Sequence, residues 1–198
     1  LQFKYSYSKL HWPPYSQSVN LLCVSVVFLP KEKTIYYDGF STCIKETSLS
    51  KRMEGFSRPH FFEGVLTVVL KLFNIINPDS VFFGKKDYQQ FRIVEKMIRD
   101  LNLNINMVGC KTIREKDGLA MSSRNEAFTE KEITRLGVVY RSLKIAEKQI
   151  LSGETNPSSI KKTIKQNLLT LDGVEVDYIE LTDICSLAPV EKINNTVL

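Results

Sequence analysis

Two short polar segments carry side chains of the kinds that bind phosphate groups. The first covers residues 84–90, Gly-Lys-Lys-Asp-Tyr-Gln-Gln, which we predict to join the end of a strand to the start of a helix. In open parallel sheets ligands bind at that edge, and helix N-terminal N–H groups favour anions. Gly84 would let the backbone approach a ligand closely, and Lys86 would bring a mobile positive charge to phosphate oxygens. Asp87 fits equally well as a helix cap or as a catalytic carboxylate.

The second polar segment is Met121-Ser122-Ser123-Arg124-Asn125, which places two hydroxyls and a guanidinium in consecutive positions. Such a group can hold a polyphosphate, because arginine offers a planar fork of donors and serine offers short-range hydrogen bonds. The competing interpretation is an ordinary polar turn ahead of a helix cap at Thr129. On spacing alone, the polar turn is favoured.

The elements that must position these residues follow a strand, helix, strand order. A short apolar run, 80–83, ends at Gly84; residues 87–101 have helical apolar spacing; and residues 104–109 read as the next strand. A unit of this kind predicts a parallel sheet with a right-handed crossover. Residues 111–128 are polar, without an apolar period, and predict a long loop of the kind that is often functional.

Further elements are predicted on both sides of this unit. Residues 62–76 are apolar on nearly all sides and too long for a strand, so they predict a core helix that ends before Pro78. A capping box at Thr129 and Glu132 predicts a helix that runs to about Leu151. The remaining predicted elements are strands at 21–29, 42–45 and 174–181 and a helix at 157–171.

Composition excludes several classes of protein. The chain has 198 residues, 43% of them hydrophobic and 25% charged, which is typical of a globular protein and excludes a disordered chain. No apolar run approaches the roughly 18 residues of a membrane span, and no signal-peptide pattern is present, so we expect a cytoplasmic protein. Four widely spaced cysteines and two histidines give no metal-ligand spacing, so we expect no transition-metal site.

The net charge of +5 is concentrated in one part of the chain. Residues 84–124 contain nine Lys/Arg against five Asp/Glu, a surplus of four. Such a surplus suggests an anionic small molecule or a polyanion, but from charge alone a solvated helix face is the favoured explanation. Nucleic-acid binding ranks last, because no interleaved surface aromatics or RNA-binding signature accompanies the charge.

Taken together, the motifs resemble the pantothenate synthetase (pantoate-beta-alanine ligase) family. The resemblance lies in Gly-Lys-Lys-Asp-Tyr-Gln-Gln at 84–90, Thr-Ile-Arg-Glu at 112–115, Gly-Leu-Ala-Met-Ser-Ser-Arg-Asn at 118–125, and Ser-Arg-Pro-His-Phe at 57–61. Even Leu1-Gln2-Phe3 is similar to the end of the family's Asn-Pro-x-Gln-Phe segment. The fold implied is α/β: a partial Rossmann-like nucleotidyltransferase domain with a parallel sheet over residues 1–110, then a smaller α+β, lid-like C-terminal domain over 111–198.

The resemblance also implies an activity. Pantoate would attack the α-phosphate of ATP to give a pantoyl adenylate and pyrophosphate, and the amine of beta-alanine would then displace AMP to give pantothenate. This is an ATP-dependent ligation that forms a carbon–nitrogen bond, accompanied by Mg²⁺. The partners implied are these small molecules and a second copy of the chain in a homodimer, with no nucleic acid and no membrane.

Roles carried over by motif fall into two groups. Those on the ATP side are Gly84, Lys85, Lys86, Asp87, Ile113, Met121, Ser122, Ser123 and Arg124, of which Lys86, Ser122, Ser123 and Arg124 would be catalytic. Those on the pantoate side are Gln2, Gln90 and Arg58, of which Arg58 would lie near the substrate or at the subunit interface. Lys85 stands where many family members carry an acidic residue.

One departure affects the expected activity. The family's His-x-Gly-His motif, thought to stabilise the phosphates, occurs nowhere in these 198 residues, because His11 and His60 lie far apart. We therefore expect a chain that lacks the first Rossmann elements and the end of the C-terminal domain and has impaired turnover. The alternative is a non-catalytic ligand-binding remnant of the same fold.

Overall fold

The structure is a computed structural model that describes residues 26–194 and 196–198. The chain divides into two compact units, Leu1–Phe40 and Ser41–Leu198. The described part of the first unit contains one short helix, α1 (Glu32–Ile35), followed by edge-to-face packing of the Phe40 ring on Tyr36 and Tyr37. The predicted boundary between residues 110 and 111 stays a prediction.

The predicted strand, helix, strand unit is confirmed in the second compact unit. Strand β1 (Ser80–Gly84) runs parallel to strand β2 (Asn106–Cys110), and the register places Gly84 opposite Cys110. These two strands form the sheet of the described residues. The structure is therefore α/β with a parallel sheet, as the sequence indicates.

Between the two strands lies helix α4 (Tyr88–Asp100), which follows helices α2 (Met53–Ser57) and α3 (Phe61–Ile76) in the chain. Its apolar spacing buries one face against α3, where the core contains side chains that are at most 8% exposed; they include Leu66, Phe73, Ile93, Val94 and Ile98. Burial of each such side chain stabilises the fold by roughly 1.5–3 kcal/mol. Together, α3 and α4 fix the position of the sheet edge at Gly84.

Helix α3 confirms the prediction of a core helix, with its first residue one position earlier than expected. It ends at Asn77, which has the left-handed backbone conformation (φ 49°) that closes many helices. Pro78 then prevents continuation.

Three predicted strands are wrong in the described residues. Residues 26–29 of the predicted 21–29 strand are exposed and irregular, and residues 21–25 lie outside the described residues. Residues 42–45 also form no ladder, because the Ile44 N–H donates to the Thr67 hydroxyl (3.0 Å) rather than to a neighbouring strand. Residues 174–181 run without regular structure up to isolated bridges at Thr182 and Asp183. An apolar run becomes a strand only where a partner strand supplies hydrogen bonds.

The helix predicted from Thr129 to Leu151 is two helices, α5 (Glu130–Leu136) and α6 (Val138–Leu151), separated at Gly137. The capping box at Thr129 and Glu132 is confirmed. At Gly137 a Cβ atom would lie 2.6 Å from the Asp117 carbonyl oxygen. The break therefore occurs where another segment packs against the helix backbone.

Helix α7 (Pro157–Leu168) packs on α6 and ends three residues before the predicted boundary. A second apolar cluster joins these helices to the end of the chain; its buried members are Ala146, Ile160, Ile164, Leu181 and Ile193. None of the helices in the described residues is long and apolar enough to cross a membrane.

Candidate active site

The first candidate segment begins where β1 ends. After Gly84 the chain makes one 3-10 turn, Lys85–Asp87, and enters α4. Nothing lies within 4 Å of the position that a Cβ atom at Gly84 would occupy. The backbone at this sheet edge is therefore open to a ligand.

Asp87 occupies the N-cap position of α4, but its side chain makes no capping hydrogen bond. Instead, the Asp87 Oδ1 lies 3.4 Å from the Lys86 Nζ, and both side chains are exposed. An exposed ion pair of this kind is worth at most about 1 kcal/mol. A phosphate can therefore bind the Lys86 ammonium at little energetic cost. The capping role considered for Asp87 is not observed.

Lys85 is placed differently from its neighbour. Its Nζ lies 5.8 Å from the centroid of the Phe91 ring, and its side chain crosses β2 at Gly109. A Cβ atom at Gly109 would lie 2.4 Å from the Lys85 Cε, so glycine leaves room for this path. Of the two adjacent lysines, only Lys86 is paired with the candidate carboxylate, and a role of Lys85 at phosphate stays a prediction.

The two adjacent glutamines also differ. The buried Gln89 amide donates to the carbonyl oxygens of Leu49 (2.9 Å) and Arg52 (2.7 Å) and accepts from the Glu54 N–H (3.1 Å). The half-buried Gln90 makes no side-chain hydrogen bond to another described residue. Gln89 therefore serves the fold, whereas the amide of Gln90 is available for a ligand. The structural role of Gln89 was not predicted, because nothing in the sequence separates two consecutive glutamines.

Arg58 is held by its own surroundings. Its Nη1 lies 2.8 Å from the Glu54 Oε1, and its guanidinium lies 4.1 Å from the centroid of the Phe61 ring. The side chain is about half exposed (48%). Its predicted contact with pantoate stays a prediction, as does that of Gln2, which lies outside the described residues.

Ile113 and Met121 are brought together by a hairpin over residues 113–121. The Met121 N–H donates to the Ile113 carbonyl (2.9 Å), the Glu115 N–H donates to the Leu119 carbonyl (2.8 Å), and Arg114 bridges Ala120. Both Ile113 and Met121 expose more than half of their side chains. The predicted long loop thus has internal structure at the residues assigned to the nucleotide.

The polar residues after this hairpin form a 3-10 helix, Ser123–Ala127. The Ser122 Oγ caps it by accepting from the Arg124 N–H (3.3 Å), and the Asn125 Nδ2 donates to the Ala120 carbonyl (3.1 Å). The polar turn favoured on spacing is therefore present, and it holds the hydroxyls of Ser122 and Ser123 in consecutive positions.

The sheet brings the two candidate segments to the same edge. Gly84 pairs with Cys110, and Ile113 follows Cys110 by three positions, a reach of at most about 11 Å. Met121 is hydrogen-bonded to Ile113, so it shares that location. The described residues thus place Lys86, Asp87, Ile113 and Met121 around the carboxyl end of the parallel sheet, where the sequence predicted a ligand.

The Cys43 thiol is a poor candidate for a nucleophile. The Cys43 thiol donates a hydrogen bond to the Glu63 carboxylate, which raises the pKa of the thiol, while the same bond lowers the pKa of Glu63. A raised pKa leaves the thiol protonated, and the thiolate is the reactive form. The described residues also contain no group of three or more His, Cys, Asp or Glu that could hold a metal ion.

A sequence model of the family pantoate-beta-alanine ligase matches residues 16–198. The chain belongs to this family. It is 47% identical over 175 residues to the pantothenate synthetase of Thermotoga neapolitana, an alignment that covers 88% of this chain and 62% of that protein. The pantothenate synthetase of Carboxydothermus hydrogenoformans is 44% identical over 171 residues, 60% of its length. The chain thus spans about three fifths of the length of these relatives.

Solved structures of pantothenate synthetases have the same fold. A crystal structure of the Thermus thermophilus enzyme superposes with a TM-score of 0.91 at 30% identity, covering 98% of this chain and 70% of that one. The Francisella tularensis pantoate-beta-alanine ligase, solved in complex with beta-gamma ATP and beta-alanine, gives a TM-score of 0.62 at 34% identity over 77% of this chain and 56% of that one. The α/β fold predicted from the resemblance is therefore confirmed.

The turn of the 113–121 hairpin contains a glycine, Gly118, whose replacement should lower the stability of the protein. Gly118 has φ +89°, and a Cβ atom there would lie 2.3 Å from the Tyr140 ring. We expect Gly118→Ala to lower the free energy of unfolding by about 2–4 kcal/mol, through backbone strain and overpacking together. Gly153→Ala is the matched control, because Gly153 also has positive φ (+101°) but open space around it, and about 1 kcal/mol is expected. Urea titrations of both variants measure the difference; equal losses would contradict the packing of Gly118 on Tyr140.

Proposed function

We propose that this chain carries the ATP and pantoate sites of a pantothenate synthetase, the ligase that joins pantoate to beta-alanine through a pantoyl adenylate and releases AMP. The observation that carries the proposal is the convergence of Lys86, Asp87 and the 113–121 hairpin at the carboxyl end of the parallel sheet. The Francisella relative, solved with beta-gamma ATP and beta-alanine, supports the choice of ligands.

On the ATP side, the Lys86 ammonium would bind the phosphate oxygens, moving from its exposed pairing with Asp87. The Ile113 carbonyl and the exposed Met121 would border the adenine end of the nucleotide, while Ser122, Ser123 and Arg124 would hold the triphosphate. Charge on the phosphates rises as pyrophosphate leaves, so donors fixed at this position stabilise the transition state more than the ground state.

On the pantoate side, the Gln90 amide would hydrogen-bond pantoate and keep its carboxylate in line with the α-phosphate. This amide has no other side-chain hydrogen bond within the described residues, so it gives up no protein partner on binding. Arg58 would lie near pantoate, held in place by Glu54 and Phe61. Positioning of this kind can supply several kcal/mol of the barrier reduction.

The residues also fit Mg²⁺ bound with the nucleotide. Magnesium in nucleotide sites is held by phosphates, waters and one or two carboxylates, and Asp87 presents one exposed carboxylate at the site. When bound, the ion would neutralise phosphate charge. For the Asp87 carboxylate to bind the ion, only its exposed ion pair with Lys86 would have to break.

We further propose that the 198-residue chain by itself turns over slowly, because it contains no His-x-Gly-His sequence. The test is AMP release under single-turnover conditions, with protein in excess over ATP. We expect slow AMP formation that requires both pantoate and beta-alanine and that is matched by formation of pantothenate. Rapid AMP formation would contradict the impairment.

The same assay, combined with calorimetry, distinguishes this proposal from the alternative of a non-catalytic remnant. If calorimetry shows that ATP and pantoate bind while no AMP forms over hours, the chain binds ligands without performing the reaction. Absence of binding to either ligand would instead remove the proposed site altogether.

A further inference from the structure

The hairpin at residues 113–121 has almost no hydrophobic core of its own. Of residues 111–128, only Gly118 is buried. A segment with so little burial is held by its specific contacts with neighbouring elements, and it would open easily without them. The contacts between this hairpin and the paired helices α5 and α6 therefore decide where its residues lie.

Tyr140, on the first turn of α6, makes the central contact. The Arg114 guanidinium lies 4.0 Å from the centroid of the Tyr140 ring, a close cation–π stack. The Arg114 Nη1 also donates to the Gly118 carbonyl (3.1 Å), across the turn of the hairpin. Arg114 thus ties the two arms of the hairpin to each other and to the ring at once.

The same ring sets the position of the turn. Because a Cβ atom at Gly118 would overlap the Tyr140 ring at 2.3 Å, the glycine backbone lies directly against the ring. Two further contacts fix the turn beside α5: the Thr134 Oγ1 donates to the Asp117 Oδ2 (3.0 Å), and the Asp117 carbonyl lies against Gly137. The hairpin is thereby docked at the junction of α5 and α6 from two sides.

The contacts of Arg114 also affect the candidate nucleotide residues Ile113 and Met121, which are joined by one hydrogen bond. Arg114 follows Ile113 directly, and the Ile113 carbonyl accepts from the Met121 N–H. Ser122, the cap of the next turn, follows Met121. A displacement of Arg114 therefore moves both Ile113 and the start of the Ser122–Arg124 segment.

We propose that Tyr140 and Arg114 are positioning residues for ATP: the Tyr140 ring and the Arg114 guanidinium hold the 113–121 hairpin where Ile113 and Met121 meet the nucleotide. This inference rests on the proposed function, since it assigns the hairpin to ATP. Neither residue touches the nucleotide itself. Both act through the hairpin, and pantoate binding at Gln90 is independent of them.

The experiment compares Tyr140→Leu with Tyr140→Phe in the whole chain. Leucine removes the aromatic face that Arg114 stacks on, whereas phenylalanine keeps it. Amide hydrogen exchange is followed at Glu115 and Met121, whose N–H groups close the hairpin, and at α4 as a measure of the fold elsewhere. Calorimetry measures the Kd for Mg-ATP and, separately, for pantoate.

We expect Tyr140→Leu to speed exchange at Glu115 and Met121 and to weaken Mg-ATP binding by about tenfold, as the loss of a cation–π stack predicts. Exchange in α4 and the pantoate affinity should stay within about twofold of the unmodified chain, because the Gln90 side chain shares no hydrogen bond or ring contact with Arg114 or Tyr140. Tyr140→Phe should behave as the unmodified chain does.

Three outcomes would overturn the proposal. They are unchanged exchange in Tyr140→Leu, faster exchange with unchanged ATP affinity, and equal loss of ATP and pantoate binding, which would indicate general unfolding. If the unmodified chain binds no ATP at all, while Tyr140→Leu still speeds exchange of the hairpin, the proposed function fails and the docking of the hairpin by Tyr140 is retained.

Discussion

Replacement of Lys86 by alanine is expected to weaken Mg-ATP binding by about tenfold to a hundredfold, the loss expected for a hydrogen bond between an ammonium and phosphate. Lys86 lies in the turn after β1, and its exposed ion pair with Asp87 gives way readily to a stronger anion. Isothermal titration calorimetry at fixed ionic strength measures the change.

Lys85→Ala is the matched control for this experiment. Both substitutions remove one positive charge from neighbouring positions, so they change the long-range field by nearly the same amount. The Lys85 ammonium, however, lies toward the Phe91 ring rather than toward Asp87. We expect Lys85→Ala to change the Kd for ATP by less than about threefold. Equal losses in the two variants would indicate general attraction of the nucleotide rather than a phosphate contact at Lys86.

The second large effect concerns the two glutamines of α4. Gln90→Leu is expected to weaken pantoate binding by about tenfold or more, because a ligand group that Gln90 hydrogen-bonds would be left unpaired. The free energy of unfolding should change by no more than about 0.5 kcal/mol, since the Gln90 side chain makes no hydrogen bond to another described residue. Calorimetry with pantoate and urea unfolding provide the two measurements.

Gln89→Leu should have the opposite effect, with a large loss of stability and a small change in pantoate affinity. It removes the partner of the Glu54 N–H in the first turn of α2, and it removes one hydrogen bond from each of the Leu49 and Arg52 carbonyls, which still accept from backbone N–H groups. We expect the free energy of unfolding to fall by about 2–4 kcal/mol, because part of this backbone would be left unsatisfied. If Gln89→Leu proved neutral for stability while Gln90→Leu unfolded the chain, the assignment of the two residues would have to be exchanged.

The sequence predicted best the features that depend on neighbouring residues. The β1, α4, β2 unit, the length of α3 and the capping box at Thr129 all follow from local spacing and cap chemistry, and the structure confirms them. These signals act within one or two helical turns, so no knowledge of distant contacts is needed.

Distant contacts explain the errors. Residues 42–45 have the composition of a strand, but their backbone bonds to the Thr67 side chain instead of to a neighbouring strand. The break at Gly137 and the docking of Arg114 on Tyr140 depend on a polar hairpin meeting a helix pair that comes later in the chain. Neither feature leaves an apolar period in the sequence, so periodicity could not reveal it.

Motif order located the candidate site, but it could not divide roles between identical neighbours. Lys85 and Lys86, like Gln89 and Gln90, are equivalent by composition. The structure separates the members of each pair by the direction of their side chains. Lys85 and Gln89 pack on neighbouring parts of the fold. Lys86 lies at the open edge of the sheet, and the Gln90 side chain has no hydrogen-bond partner in the described residues.

The most direct test of the central claim is detection of pantoyl adenylate. The protein, in excess over ATP, is incubated with Mg²⁺ and pantoate but without beta-alanine, and the acid-quenched products are analysed by mass spectrometry. We expect pantoyl adenylate and pyrophosphate, absent in Lys86→Ala on the same timescale, with conversion to pantothenate and AMP once beta-alanine is added. Formation of ADP, or ATP and pantoate bound together without any adenylate, would contradict the claim.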